Sequence, residues 1–204
     1  MKLLPSLFAL AATVFTLQCS VAQAQESAWR NSYQFETAGK FNEAIVAIEP
    51  VSVNGPDAEF KLLRRGWLYY QAGRFDESIR EYRLAIERNS HSVDARLGLV
   101  LPMLAAKRWR EAEQAARAVL DIAPHNYTAL VRQAIAQEGL QDWQALGKTA
   151  NTIVADYPSD ATAYIYLARA NAWLGKRSEA VVAYNSVLVR YPAHPEARAY
   201  IDKK

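Results

Sequence analysis

A chain of 204 residues with 24 basic and 21 acidic side chains carries a formal net charge of only +3. Lys and Arg are interspersed with Glu and Asp rather than gathered in a stripe, which excludes binding to nucleic acid by phosphate neutralisation. A single cysteine excludes a disulfide framework, so the fold must be stabilised by packing.

The first predicted element is a leader. Lys2 supplies a positive start, Leu3 to Leu17 is almost wholly apolar, and Val21-Ala22-Gln23-Ala24 puts small residues where a signal peptidase cuts. This predicts a signal peptide over residues 1–24, cleaved after Ala24, and a periplasmic or secreted mature chain. The apolar run is shorter than the ~20 residues that cross a bilayer, and Pro5 and Gln18 interrupt or bound it. Cys19 follows Thr16-Leu17-Gln18, where a lipoprotein signal carries a small residue in place of Gln18, so no lipid anchor is expected. No later segment is long and apolar enough to span a membrane, and no membrane insertion is expected once the signal is gone.

From there the chain repeats every 34 residues. Pro124, Pro158 and Pro192 mark the interval, and the same clock brings round Gly39-Lys40-Phe41, Gly73-Arg74-Phe75, Lys107-Arg108-Trp109, Gln141-Asp142-Trp143 and Gly175-Lys176-Arg177. A period of this length marks a solenoid. It divides the mature chain into units 25–58, 59–92, 93–126, 127–160 and 161–194, followed by a short capping helix over 195–204.

In the first unit, Pro50 should stop the second helix early and leave Val51 to Gly55 irregular. The second unit shows the pattern most fully. Leu62, Gly66 and Tyr69, then Ile79, Tyr82 and Ala85, have helical spacing on either side of the Ala72-Gly73 break. Gly73 can take the left-handed conformation that ends the first helix, and Asp76 is placed to cap the second. Ser92, Asn126 and Asp160 recur as N-cap candidates for the next three units. Pro102 falls inside the first helix of the third unit and should kink it. The fourth unit has Gln141 in place of the turn glycine and Leu146 where the others carry Ala44, Ser78, Ala112 and Ala180, which should widen its hairpin. Gly66, Ala134 and Ala168 share a small-residue register on the first helices, while Phe41, Phe75, Trp109 and Trp143 fill the layers between hairpins.

Gly66, Tyr69, Gly73, Phe75, Tyr82 and Ala85 in the second unit, and Leu167, Ala168, Gly175, Ala180, Tyr184 and Pro192 in the fifth, make the chain resemble a tetratricopeptide-repeat protein. The resemblance covers nearly the whole mature chain. It implies an all-α, right-handed α-solenoid of five helix-turn-helix units, in which the first helices line a concave groove and hold protein partners.

If that geometry holds, the first helices present Trp29, Tyr33, Phe60, Trp67, Tyr70, Arg169 and Trp173 to the groove, together with the aliphatic Leu63, Leu97, Leu101, Val131, Ile135 and Ile165. Trp and Tyr are frequent binding anchors. The aliphatic members are equally well read as packing residues. Arg30, Arg64 and Arg132 recur in one register beside the aromatics, as forks for a partner's carboxylate or as ordinary ion-pair partners. His91, His125 and His194 all fall at connections between units, and no phosphate loop, nucleophile elbow or paired Cys motif is present. No catalytic, cofactor-binding or metal-binding residue is therefore assigned. The expected function is a non-catalytic periplasmic adaptor that holds a segment of another cell-envelope protein. The alternatives are a self-assembling protein, a homo-oligomer stacked through its thinly capped end, and an accessory subunit of outer-membrane or polysaccharide export machinery.

Overall fold

The computed structural model of the protein describes residues 23–52, 54–55 and 57–203. The segment expected to be a leader therefore lies outside the described residues except for its last two positions, which are helical. Every regular element among the described residues is an α-helix. In chain order these are α1 (23–37), α2 (Phe41–Ala47), α3 (Ala58–Gln71), α4 (Phe75–Arg88), α5 (Val93–Ala105), α6 (Trp109–Leu120), α7 (Tyr127–Gly139), α8 (Trp143–Asp156), α9 (Ala161–Trp173), α10 (Arg177–Arg190) and α11 (Pro195–Ile201). The chain divides into two compact units, Met1–Arg88 and Asn89–Lys204; in the one α2 packs on α3 and α3 on α4, and in the other each helix from α5 to α11 packs on the next.

Each hairpin turns through one left-handed residue. Gly39, Gly73 and Gly175 have φ of 71, 73 and 73°, as glycine's missing Cβ permits. Lys107 and Gln141 take the same conformation at φ 56 and 58° without being glycines. The fourth turn is closed by the same backbone bonds as the second: Gln141 N donates to Glu138 O and Asp142 N to Gln137 O, as Gly73 N does to Tyr70 O and Arg74 N to Tyr69 O. The turn expected to open has therefore kept its geometry at a steric cost. The effect of the fourth unit's sequence appears along the helices instead, where Leu146 is fully buried and α7 and α8 pack less extensively than α9 and α10.

The N-caps form where the spacing placed them. Ser92 Oγ, Asn126 Oδ1 and Asp160 Oδ1 accept from the amides of Ala95, Ala129 and Thr162 at 3.1, 2.9 and 2.9 Å. Asp76, expected to be a cap, lies inside the first turn of α4 instead, where a negative charge still favours the helix dipole. α5 runs unbroken through the buried Pro102.

In the compact unit Met1–Arg88 the core gathers Ala28, Ala44, Ile45, Ile48, Val51, Leu68 and Tyr69. Gly66 lets α3 and α4 approach closely: a Cβ there would lie 2.9 Å from the Tyr82 ring, and Ser78 Oγ donates to its carbonyl at 2.7 Å. α2 ends after seven residues, ahead of Pro50. The irregular chain beyond it is tied down from α3 by Lys61, whose buried ammonium donates to the carbonyls of Glu49 and Val51, both at 2.8 Å. Burial pushes that ammonium's pKa below its ordinary value.

In the compact unit Asn89–Lys204 one cluster joins Leu130, Ala134, Leu146, Ala150, Ile153, Ala163, Tyr166 and Ala170, and another joins Ala168, Ala183, Tyr184, Val187 and Ala197. The latter packs α11 against α9 and α10. His194 begins α11 as a cap, its Nδ1 accepting from Ala197 N at 3.3 Å.

Candidate functional site

In the compact unit Met1–Arg88, α1 and α3 bring most of the expected aromatic residues together on one face. Trp29 and Tyr33 are four residues apart on α1, and Phe60 and Trp67 are seven apart on α3, so each pair occupies one side of its helix. The Trp29 and Phe60 rings meet across the hairpins at 4.9 Å between centroids. Trp67 lies 5.7 Å from Tyr70, which in turn lies 6.1 Å from Phe75. Trp29 and Trp67 rest against the core with one side, while Tyr33 and Phe60 remain 47% and 45% exposed. A cluster of rings with two large apolar members open to solvent is the kind of surface that binds partners.

A carboxylate that the sequence did not single out positions this face. Glu36 on α1 accepts a 2.6 Å bond from Trp67 Nε1 with one oxygen and a charge-assisted bond from Arg64 Nη1 with the other. Arg64 Nε and Nη2 complete its coordination on Ser32 Oγ, at 3.3 and 3.2 Å. Arg64 is only 6% exposed, and its guanidinium sits 3.9 Å from the centroid of the Tyr33 ring. Of the two readings the sequence left for Arg64, the structure shows the ion pair. The donors of Arg64 are taken up by Glu36 and Ser32 one repeat earlier, so it holds Tyr33 and Trp67 from beneath instead of reaching for a partner.

Arg132 and Arg169, in the compact unit Asn89–Lys204, are likewise engaged internally. Arg132 Nη1 donates to the Leu97 carbonyl, which ties α7 to α5. Arg169 forks onto Glu196 of α11 through Nε and Nη2 while Nη1 donates to Glu138 of α7 at 2.9 Å. Tyr184 donates its hydroxyl to Glu196 at 2.8 Å. These bonds, the Arg169 contact foremost, hold the Glu196 carboxyl below the ordinary carboxylate range. Arg30 alone of the expected arginines lies on the surface, in an (i, i+4) pair with Glu26 at 2.6 Å.

Trp173 closes α9 at 69% exposure, its ring stacked on Trp143 at 5.0 Å with planes 5° apart. It is an exposed indole with a fixed orientation. The aliphatic candidates Leu63, Leu97, Leu101, Val131, Ile135 and Ile165 are all half-buried, between the two roles expected for them.

The repeat frame contained the missing signal. Glu36 and Glu138 stand three repeats apart, as do Trp67 and Arg169, and each carboxylate accepts from the partner 31 residues after it. An acidic residue recurring that far before a donor on the next first helix marks a strut between repeats.

Comparison with known proteins agrees with this architecture. A family profile described as tetratricopeptide repeat matches residues 35–92 and 63–127, and a second profile of the same description matches residues 162–194. Together they span more than half of the chain. No curated protein matches the sequence. Among solved structures, a tetratricopeptide repeat protein from Parabacteroides merdae ATCC 43184 aligns with TM-score 0.77 at 15% identity, over 88% of this chain and 71% of its own. MamA 41-end from Desulfovibrio magneticus RS-1 aligns with TM-score 0.74 at 14% identity, over 84% of this chain and 97% of its own. A further MamA crystal structure gives 0.72 at 19% identity, over 79% and 94%. At such identities the likeness is one of fold. With profiles covering most of its repeats and hairpins turning every 34 residues, the chain belongs to the tetratricopeptide-repeat family.

Proposed function

We propose that this protein is a non-catalytic adaptor of the bacterial cell envelope, which holds a segment of a partner protein against the aromatic face of α1 and α3. The family is one of protein-interaction scaffolds, and the observation that carries the reading is the pair of exposed rings, Tyr33 and Phe60, braced by Trp29 and by the Glu36–Arg64–Trp67 network. That network fixes the orientation of two rings, and a core-filling role would not require it. Because Arg64 is engaged internally, the face offers apolar area rather than charge, and the matching partner segment is apolar.

Export past the inner membrane is part of the proposal, on the strength of the leader-like residues 1–24. Among the described residues no helix is long and apolar enough to cross a membrane.

A photoreactive amino acid at Tyr33, in cells carrying the full chain, tests the reading. A discrete adduct should form in the envelope fraction and be lost when Phe60→Ala is added. Absence of an adduct, or one indifferent to Phe60→Ala, sinks the aromatic-face proposal. An adduct with a second copy of the chain would replace the adaptor by a self-assembling protein.

A further inference from the structure

Lys and Arg alternate with Asp and Glu along the chain, yet in the unit Asn89–Lys204 the hairpins sort them by edge. Turns and connections alternate along the sequence, so charges on successive stretches of chain are carried to opposite ends of the helices. At the connections Asp94, Asp121 and Asp156 are exposed, while Arg96 and Arg190 donate to the carbonyls of Ser90 and Pro158. At the turns, and where α11 runs out, the exposed cations are Lys107, Arg110, Lys176, Arg177 and Lys203. None of these enters an ion pair or a side-chain hydrogen bond among the described residues. Of the carboxylates on the same edge, Glu111 is forked by Arg108 at 2.7 and 2.8 Å and Asp142 caps α8, which leaves Glu179 and Asp202. A chain of nearly balanced charge therefore presents one basic edge.

Apolar groups stand on that edge too. Trp173 and Leu174, which close α9 just before the fifth turn, are 69% and 41% exposed, and the indole is held in place by its stack on Trp143. Next to this turn lies a cleft of about 340 Å³. It exists because α11 ends at Ile201, the counterpart of Leu167 one repeat earlier, and so runs for 7 residues where α9 runs for 13. Val181, Tyr200 and Ile201 give the cleft apolar walls, and Arg177 and Lys203 reach it from two different elements. No carboxylate lines it.

An occupant of this edge must offer negative charge and an apolar phase side by side. An acidic peptide supplies the first and an apolar helix the second, whereas a bilayer containing anionic phospholipid supplies both, over an area as broad as the edge. Indole rings settle at the headgroup level, where the ring meets apolar surroundings and the N–H meets water and ester oxygens. Lys and Arg beside them reach lipid phosphates, with charge-assisted bonds and attraction to the negative surface. Turns at the ends of helices can rest on a plane, and they have no walls with which to enclose a peptide.

We infer that the turn edge of this unit docks on the surface of a bilayer containing anionic phospholipid. Trp173 and Leu174 enter the headgroup layer, and Lys107, Arg110 and Lys176 lie against lipid phosphates. One lipid head is held between Arg177 and Lys203, with the start of its acyl chains against Val181 and Ile201. This is adsorption rather than a span, since among the described residues no helix is long and apolar enough to cross a membrane. The edge contains no residue of the aromatic face of α1 and α3, so the inference stands apart from the partner proposed above.

The test is flotation of the full chain with phosphatidylcholine vesicles, with and without about one-third phosphatidylglycerol. An apolar leader still attached would bind both kinds alike, so the difference between them is the measurement. Binding should require phosphatidylglycerol and fall away at high salt. Lys176→Gln with Arg177→Gln should weaken it about twentyfold, at roughly fivefold for each cation. Bromine in the acyl chains should quench part of the tryptophan emission when phosphatidylglycerol is present. Trp173→Phe, which keeps a ring on Trp143, should remove that quenching. All three positions are exposed, and unchanged helical circular dichroism confirms folding. Tyr33→Ala with Phe60→Ala should leave vesicle binding as it was. The inference is overturned if neutral vesicles bind as well, if the charge substitutions have no effect, or if Trp173→Phe leaves the quenching unchanged. It is also overturned if a single-stranded oligonucleotide binds more tightly than the vesicles through the same two cations, which would make the partner a nucleic acid.

Discussion

Glu36 serves two donors of the next repeat with one carboxylate, and its removal would leave the buried Arg64 guanidinium without its counter-charge. Breaking a buried pair from one side costs about 3–5 kcal/mol, and since Glu36 retains some exposure we expect Glu36→Ala to cost about 3 kcal/mol, read from the urea midpoint. Binding at the aromatic face should fall with it, because Trp67 and Tyr33 lose their anchors. At the turns the opposite sign is expected. Gln141 and Lys107 occupy left-handed backbone at a cost of about 1–2 kcal/mol, part of which glycine returns as added freedom in the unfolded chain. Gln141→Gly should therefore raise stability by roughly 0.5–1 kcal/mol, with a higher thermal midpoint. Residues of this kind mark how far the sequence is legible. Gly73 and the caps Ser92, Asn126 and Asp160 can be read from it because their partners lie within a few positions. Arg64 looks like a groove residue in the sequence because its partners, Ser32 and Glu36, lie 32 and 28 positions away, across the interface between hairpins.

Between elements, Gly139 of α7 meets Trp109 of α6 so tightly that a Cβ would come within 2.4 Å of the indole. Trp109 is legible as a layer-filling aromatic, whereas the need for a glycine opposite it is not, because nothing in local spacing encodes a contact 30 residues away. Gly139→Ala gains about 1 kcal/mol in helix propensity and forces the ring aside at up to 3 kcal/mol, so a net loss of about 2 kcal/mol is expected in denaturant unfolding. The short α11 is held by a mixture of the Ala197 contact, the Tyr184–Tyr200 ring pair at 4.5 Å and the Arg169–Glu196 fork. The Glu196 carboxyl is depressed chiefly by Arg169, with Tyr184 and His194 acting in the same direction. Its contribution is complete above the ordinary carboxylate value and disappears as the pH falls through the depressed one. Amide exchange in α11 should therefore accelerate on acidification before that of α9. Equal protection of the two helices at every pH would show that packing alone holds α11.

For the whole molecule, the 34-residue clock is sufficient to read hairpins, connections and family, since a repeated error in any of these would have to recur five times. Function is less legible for the same reason: a scaffold residue recurs, while a partner-specific one is singular and must be recognised from contacts. Two clefts 34 residues apart, one lined by Arg117, Gln137 and Lys148 and the other by Asn151, Asn171 and Val182, show the intermediate case, in which the concavity recurs and its lining changes. The leader belongs to this scale too. Intact mass of the exported protein should correspond to a chain beginning at Gln25, which trims two residues from α1 and leaves Trp29, Tyr33 and Glu36 in place. A full-length mass in the cytosolic fraction would remove the envelope from the proposal.

Lys61 makes the end of α2 open to chemical timing. Its ammonium loses its proton more readily than an ordinary lysine, yet it is shielded while both carbonyls are engaged. An acylating reagent can reach it only when the chain around Glu49 and Val51 lifts away, and the nitrogen so modified has lost the charge with which it held them. The rate of labelling at this one amine therefore counts openings of the segment, and each reaction prevents the original closure from re-forming.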